Sequence, residues 1–219
     1  MIKLNLGCWK RNFPGFINID LLDYPHVHIK HSVDSLPMFD DESVDLVYAS
    51  HVLEYFTYPQ AQAAVKEWHR ILKPGGEIRI AVPDFEALIE VYKRYGDVLM
   101  LRGSIFAIVD KVLESNGTQI YHKMLYDQKT LTRLLEEAGF TEIEKYDWQD
   151  FMPKDVIDRS ASYIPKYGSD QERILVSLNV VAHKASSLKA IMQKAKYQVS
   201  DLQKKVTSKV QRILRGHWK

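Results

Sequence analysis

The sequence predicts an α/β fold, a seven-stranded and mostly parallel sheet with helices on both faces, followed by a basic helical tail. Three observations carry this reading. Apolar runs of strand length occur at 2–6, 16–21, 27–33, 44–49, 77–82, 142–148 and 174–183. Segments of helical period stand between several of them, and strands alternating with helices build a parallel sheet wound on both faces. From residue 186 the composition turns to Lys, Gln and Ser with spaced apolar residues, so 1–185 reads as the folded domain and 186–219 as a basic amphipathic appendage.

The helices are justified one by one. Over 60–73, Ala61, Ala64, Val65, Trp68, Ile71 and Leu72 share one face, and Lys73-Pro74-Gly75-Gly76 supplies a basic last turn and then breakers. Residues 84–95 and 98–113 read as further helices. Residues 130–138 follow Asp127, an N-cap residue type, and end at Gly139. Only about ten residues separate the first two strands, and fewer the second from the third, whereas a parallel crossover usually takes a dozen or more. Those connections are loops without helices, or the strand limits lie elsewhere.

At 219 residues and 46% hydrophobic, the chain can bury one full core. Its net charge of +2 conceals a split: residues 184–219 hold ten Lys or Arg against one Asp, leaving 20 basic and 27 acidic residues in the remainder. A polyanion or membrane partner is therefore expected at the tail. There Leu188, Met192, Ala195, Val199, Leu202 and Val206 keep a heptad seam that lapses at Lys209, while Ile213, Leu214 and Trp218 extend an apolar face. The tail reads as a helix docking on an anionic membrane surface or a protein partner, as an oligomerising coil, or as a solvated end. No aromatic stacking motif accompanies its charge, so nucleic acid is not expected. Cys8 is the only cysteine, which excludes an internal disulfide and suits a reducing cytosol. Met1-Ile2-Lys3 runs straight into a strand and no apolar run reaches the ~20 residues that span a bilayer. A cytoplasmic protein is expected, at most peripheral at the inner membrane face.

Chemistry is concentrated at the start. The strand Lys3-Leu4-Asn5-Leu6 ends on Gly7, and the strand Phe16-Ile17-Asn18-Ile19 ends on Asp20. Nucleotide-binding α/β folds use this arrangement, the glycine for close backbone approach and the carboxylate for two ribose hydroxyls. Neither G-x-G-x-x-G nor G-x-x-x-x-G-K-[ST] is present, so no dinucleotide or triphosphate cradle is written here.

Further segments join these: Asp34-Ser35-Leu36-Pro37-Met38-Phe39, Ser43-Val44-Asp45-Leu46-Val47-Tyr48, Ser50-His51-Val52-Leu53-Glu54-Tyr55, Leu72-Lys73-Pro74-Gly75-Gly76-Glu77, Leu135-Glu136-Glu137-Ala138-Gly139-Phe140 and Ser177-Leu178-Asn179-Val180-Val181-Ala182. In order and spacing they resemble the class I S-adenosylmethionine-dependent methyltransferases over residues 2–184. The nearest likeness is to small bacterial enzymes of methyltransferase type 11, many of them associated with surface polysaccharide biosynthesis. The resemblance implies a Rossmann-like sheet. It implies S-adenosyl-L-methionine as cofactor, bound by Gly7, Cys8, Asp20, Leu21, Asp34, Ser35, Ser50 and His51. It also implies methyl transfer to a hydroxyl of a glycan, a glycan precursor or another small molecule. Two positions depart from the family pattern: Trp9 stands where a second glycine is usual, and Tyr55 where histidine is common.

A sugar hydroxyl gains from a general base, and histidine suits that task. His122, in Tyr121-His122-Lys123-Met124-Leu125-Tyr126, is the first candidate, because the resemblance sets that segment over the acceptor; His51 is second and Asp84 third. His26-Val27-His28-Ile29-Lys30-His31 places His26 and His28 on one strand face and His31 on the other, without a carboxylate at ligand spacing, so no metal is expected. Cys8 has no partner base, which speaks against a nucleophile. Two other functions stay open, methylation of a small metabolite or protein amine, and a non-catalytic scaffold on the same fold.

Overall fold

The apolar runs come together as one sheet in the computed structural model, which describes residues 1–107, 114–115, 118–153 and 155–186. The chain divides into Met1–Lys184 and Ala185–Lys219, and the first of these is described below. Its strands are β1 (Lys3–Leu6), β2 (Ile17–Asp20), β3 (Ile29–Lys30), β4 (Val44–Ser50), β5 (Leu72–Pro83), β6 (Phe140–Lys145) and β7 (Ser177–Lys184). They lie in the order β3-β2-β1-β4-β5-β7-β6. Neighbours from β3 to β5 pair in parallel, while β7 runs antiparallel to both β5 and β6. The sheet is therefore mixed. The predicted helical tail at 186–219 lies outside the described residues beyond Ser186.

Helices α1 (Tyr58–Ile71), α2 (Phe85–Tyr95) and α3 (Gln128–Ala138) occupy predicted places. The Asp127 carboxylate accepts from Thr130 N at 2.7 Å to open α3, and Gly139 closes it at φ +102°. The predicted strand 77–82 starts earlier than expected, because β5 absorbs Leu72-Lys73-Pro74-Gly75-Gly76 through a register shift against β4. The predicted helix 98–113 is broken. Val98–Leu101 is a 3-10 turn, Arg102–Phe106 a short helix, and 108–113 lies outside the described residues. The run 174–183 also divides: Ile174–Leu175 pairs with Tyr163–Ile164 in a separate ribbon, and the sheet strand begins at Ser177.

Side-chain alternation gives the two sheet faces different characters. Leu4, Leu6, Ile19, Val47, Ala49, Ile78, Ile80, Val82, Leu178, Val180 and Ala182 join one core with Trp68 of α1 and Leu131, Leu134 and Leu135 of α3. Trp68 Nε1 donates to the Val33 carbonyl at 2.7 Å, which satisfies the polar atom of a fully buried indole. Several of the residues in between are polar or aromatic, Ala81 and Val181 being exceptions. Tyr48 OH donates to Asp158 at 2.7 Å and Asn179 Nδ2 to the Ser160 carbonyl at 3.0 Å. The Arg79 guanidinium lies 4.6 Å from the ring centroids of both Tyr146 and Phe151. This face is covered by Phe13, Phe16, the single-turn helix Trp148–Phe151 and the turn Arg159–Ala161. The helical cover is uneven.

The two short connections are loops. A four-residue strand rises only about 10 Å, which ten extended residues can retrace several times over. What holds them is Asn18, fully buried on β2. Its Oδ1 accepts from Asn5 Nδ2 at 2.9 Å and from Phe13 N at 3.4 Å; its Nδ2 donates to Asn12 Oδ1 at 2.9 Å and to the His26 carbonyl at 3.3 Å; its backbone N donates to His28 Nδ1 at 2.9 Å. Both loops are thus tied to one side chain and its backbone.

His69, near the end of α1, sits edge-on to Phe140 at 5.0 Å, joining α1 to β6. Burial, aided by the Lys184 charge, lowers its pKa to about 4. Between pH 6.5 and 4 the unfolded chain takes a proton there that the folded chain refuses, so stability falls as pH drops through that window. The loss should reach about 2–3 kcal/mol. Urea unfolding of the wild type across this range should show the slope, and His69→Gln should flatten it.

Candidate active site

Several of the predicted site residues gather where β1, β2 and β4 end. Gly7 follows β1 at φ +65°, and a Cβ there would stand 2.5 Å from Val52 Cγ2. The loop after β1 therefore presses on the loop after β4, and only glycine fits. Gly7 N and Cys8 N both reach the Ile19 carbonyl, at 2.8 and 3.3 Å. The Cys8 thiol is buried, and desolvation, with the Asp20 charge behind it, pushes its pKa up to about 12. A neutral thiol of this kind packs rather than attacks.

Asp20, at the end of β2, is 8% exposed. Its Oδ2 accepts from Trp9 N at 2.7 Å and its Oδ1 from Leu22 N at 2.8 Å. Each oxygen keeps a lone pair for a further donor. Trp9 takes a left-handed backbone, φ +45°, and is pinned on its other side by His26 Nε2, which donates to its carbonyl at 2.7 Å. The Trp9 Nε1 is buried without a hydrogen-bond partner among the described residues. Leu21 is half exposed beside Asp20.

β3 closes at Lys30, so Asp34 lies in the loop beyond and not at the strand end expected for it. Its carboxylate accepts from Ser32 Oγ, and Ser35 is exposed. At the end of β4, Ser50 Oγ is buried without a partner. His51 follows at φ +55°, its N–H held by the Ala81 carbonyl at 2.7 Å. Asp84 caps α2, its Oδ1 accepting from Glu86 N and Ala87 N at 3.1 and 3.4 Å.

The two candidate histidines meet across a residue to which the sequence assigned no role. Glu54, in the turn Leu53–Tyr55, has a fully buried carboxylate. Its Oε1 lies 3.0 Å from His51 Nδ1 and 3.8 Å from His122 Nε2. The shorter approach has ion-pair distance but not hydrogen-bond alignment, so among the described residues neither carboxylate oxygen has an aligned donor. The far nitrogen of His51 is 3.1 Å from Ser177 Oγ, on the first residue of β7. His122 Nδ1 is 2.9 Å from the Ser104 carbonyl, an acceptor only, so that nitrogen carries the proton. Burial lowers the His122 pKa, with Glu54 opposing, which leaves the ring neutral near pH 7. The Tyr55 ring stands edge-on to His122 at 4.8 Å.

The structure thus brings Gly7, Cys8, Asp20, Ser50 and His51 to adjoining strand ends and sets His122 beside His51. It places Asp34 and Ser35 in the loop after β3, and Asp84 at a helix start. Glu54 and Ser177 were missed. The first carried a faint signal, His51-x-x-Glu54 across one turn; the second, 126 residues from its partner, carried none. Among the described residues no group of three or more His, Cys, Asp or Glu has the geometry of a metal site. Gly7→Ala should lower stability by about 2 kcal/mol or more, from overlap with Val52 and a left-handed backbone. Thermal unfolding should show the loss, and adding Val52→Ala should restore part of it.

Residues 14–80 match the model of a methyltransferase domain family. The ubiquinone/menaquinone biosynthesis C-methyltransferase of Escherichia fergusonii is 28% identical over 130 residues, 55% of this chain and 47% of the relative. The demethylmenaquinone methyltransferase of Staphylococcus epidermidis is 32% identical over 111 residues, 48% of this chain and 44% of the relative. The chain thus spans about half the length of the curated relatives it matches. Among solved structures, a SAM-dependent methyltransferase of Thermotoga maritima aligns with a TM-score of 0.50 at 17% identity, covering 84% of this chain and 82% of that one. That likeness is one of fold.

Proposed function

We propose, on the premise that the chain is a class I S-adenosylmethionine-dependent methyltransferase, that it moves the cofactor's methyl group to a hydroxyl of a glycan or glycan precursor. The observation that carries the reading is the convergence of Gly7, Asp20 and Ser50 at the carboxyl ends of three adjacent parallel strands, where ligands of this fold bind. The residues fit a sulfonium nucleoside. Gly7 and Cys8 offer close backbone, Asp20 retains lone pairs for two ribose hydroxyls and Leu21 offers an apolar edge to adenine; the family resemblance assigns its amine to Asp34 and Ser35, in the loop after β3. Ser50 Oγ and Trp9 Nε1 are polar atoms still lacking a partner. When bound, the cofactor supplies an activated methyl group.

This chain's own task is then positioning and proton removal. His51 and His122 are the groups able to accept a proton; Asp84 is engaged by two amides of α2. The glycan follows from the family resemblance; a small metabolite or protein amine, and the quinones named for the relatives above, are its rivals. A panel of glycan hydroxyls and demethylated quinones with radiolabelled cofactor tests the acceptor: label on quinone carbon alone overturns it. The ten basic residues of 184–219 support docking on an anionic leaflet, where a lipid-linked sugar would stand. Deleting 186–219 should abolish cosedimentation with anionic liposomes and leave cofactor binding intact.

Asp20→Ala should weaken S-adenosylhomocysteine binding by about 1.5–3 kcal/mol in calorimetric titration, as loss of charge-assisted hydrogen bonds requires. An unchanged dissociation constant removes Asp20 from the site. If neither wild type nor Trp9→Gly takes up the ligand, the non-catalytic scaffold is the correct reading.

A further inference from the structure

We propose that Glu54 is the positioning residue for His51, holding the proton on Nδ1 so that Nε2 acts as the base for the acceptor hydroxyl; this deepens the methyltransferase reading and its catalytic part rests on it. The argument starts from burial. A carboxylate with no exposed surface carries a cost that only a facing donor offsets, and His51 Nδ1 stands 3.0 Å from its Oε1. With the carboxylate as acceptor, the proton between Glu54 Oε1 and His51 lies on Nδ1. The opposite nitrogen is then the lone-pair end and accepts from the Ser177 hydroxyl at 3.1 Å, the alternative acceptor Asn179 Oδ1 lying farther from that hydroxyl at 3.4 Å. The methyl-acceptor hydroxyl takes the place of this donor.

The placement of the ring agrees. His51 follows the end of β4 on a left-handed backbone held by the Ala81 carbonyl, one residue beyond Ser50. That strained conformation directs the imidazole across to β7 and leaves it 12% exposed. In the transfer step His51 Nε2 takes the proton that the acceptor oxygen loses, as that oxygen forms its bond to the methyl carbon and the carbon–sulfur pair stays on sulfur. The sulfonium becomes a neutral thioether, the imidazole becomes imidazolium, and Glu54 at 3.0 Å faces the new positive charge. His122, neutral and 3.8 Å from the same oxygen, completes the enclosure and keeps water from the carboxylate. Tyr55, Tyr126 and Arg159 also act electrostatically on this cluster.

The test begins without cofactor or acceptor. Long-range proton–nitrogen NMR of histidine-labelled full-length wild type should show His51 as the Nδ1–H tautomer; an Nε2–H tautomer overturns the proposal. Glu54→Leu removes the charge at similar size and should switch His51 to Nε2–H. It should leave the S-adenosylhomocysteine dissociation constant within twofold and lower kcat at least a hundredfold with little change in KM, using whichever acceptor the panel identifies. If that variant does not fold, Glu54→Gln is measured instead, with at least a tenfold loss expected. A wild-type rate in the folded variant overturns the proposal, as does loss of wild-type activity in EDTA with recovery on adding a divalent cation. Absence of cofactor binding in the wild type defeats the methyltransferase reading alone, because the tautomer is read independently of it.

Discussion

The geometry of the N-terminal half depends on one buried amide. Asn18 engages both neighbours of its strand, Asn5 on one side and His28 on the other, and gathers Asn12, Phe13 and His26 from the intervening loops. Each of these bonds is modest alone, but a fully buried amide left unmatched is expensive. The network therefore has one satisfied arrangement. It lets β1, β2 and β3 lie parallel without crossover helices, and it sets Asp20, two residues further along, against the turn that opens at Gly7.

The fold was legible because its signals are local. Each strand run, the Asp127 cap and the Gly139 stop lie within a few residues of the structure they determine. The unequal faces were also written in the strands, in Leu4-Asn5-Leu6, Ile17-Asn18-Ile19, Ile78-Arg79-Ile80 and Leu178-Asn179-Val180. Parallel strands covered on both sides by helices read as continuous apolar runs, whereas these alternate. Such alternation announces a second face packed through polar and aromatic groups. The 98–113 misreading has the same root: Leu, Val and Ile abound there without a consistent helical stripe.

The Gly7–Asp20 side of the candidate site was legible for the same reason, since glycine and carboxylate sit at ends of strands visible in the chain. His51 and His122 were singled out too, but their meeting around Glu54 was not legible. His51 and Glu54 are near in sequence, but His122 and Ser177 reach them only through the folded sheet. Nothing in local composition tells a buried glutamate from a solvated one. Its burial follows from Tyr126, fully buried, and from the turn that folds Glu54 inward between β4 and α1.

Glu54 also acts through its main chain. Its carbonyl accepts from Lys123 N at 2.7 Å and Met124 N at 3.2 Å, fastening the segment that carries His122. The carboxylate beside His51 and the peg for the facing wall therefore belong to a single residue. The spacing of ring, carboxylate and wall is thus set from one point in the chain. A common mount of this kind keeps the three in alignment.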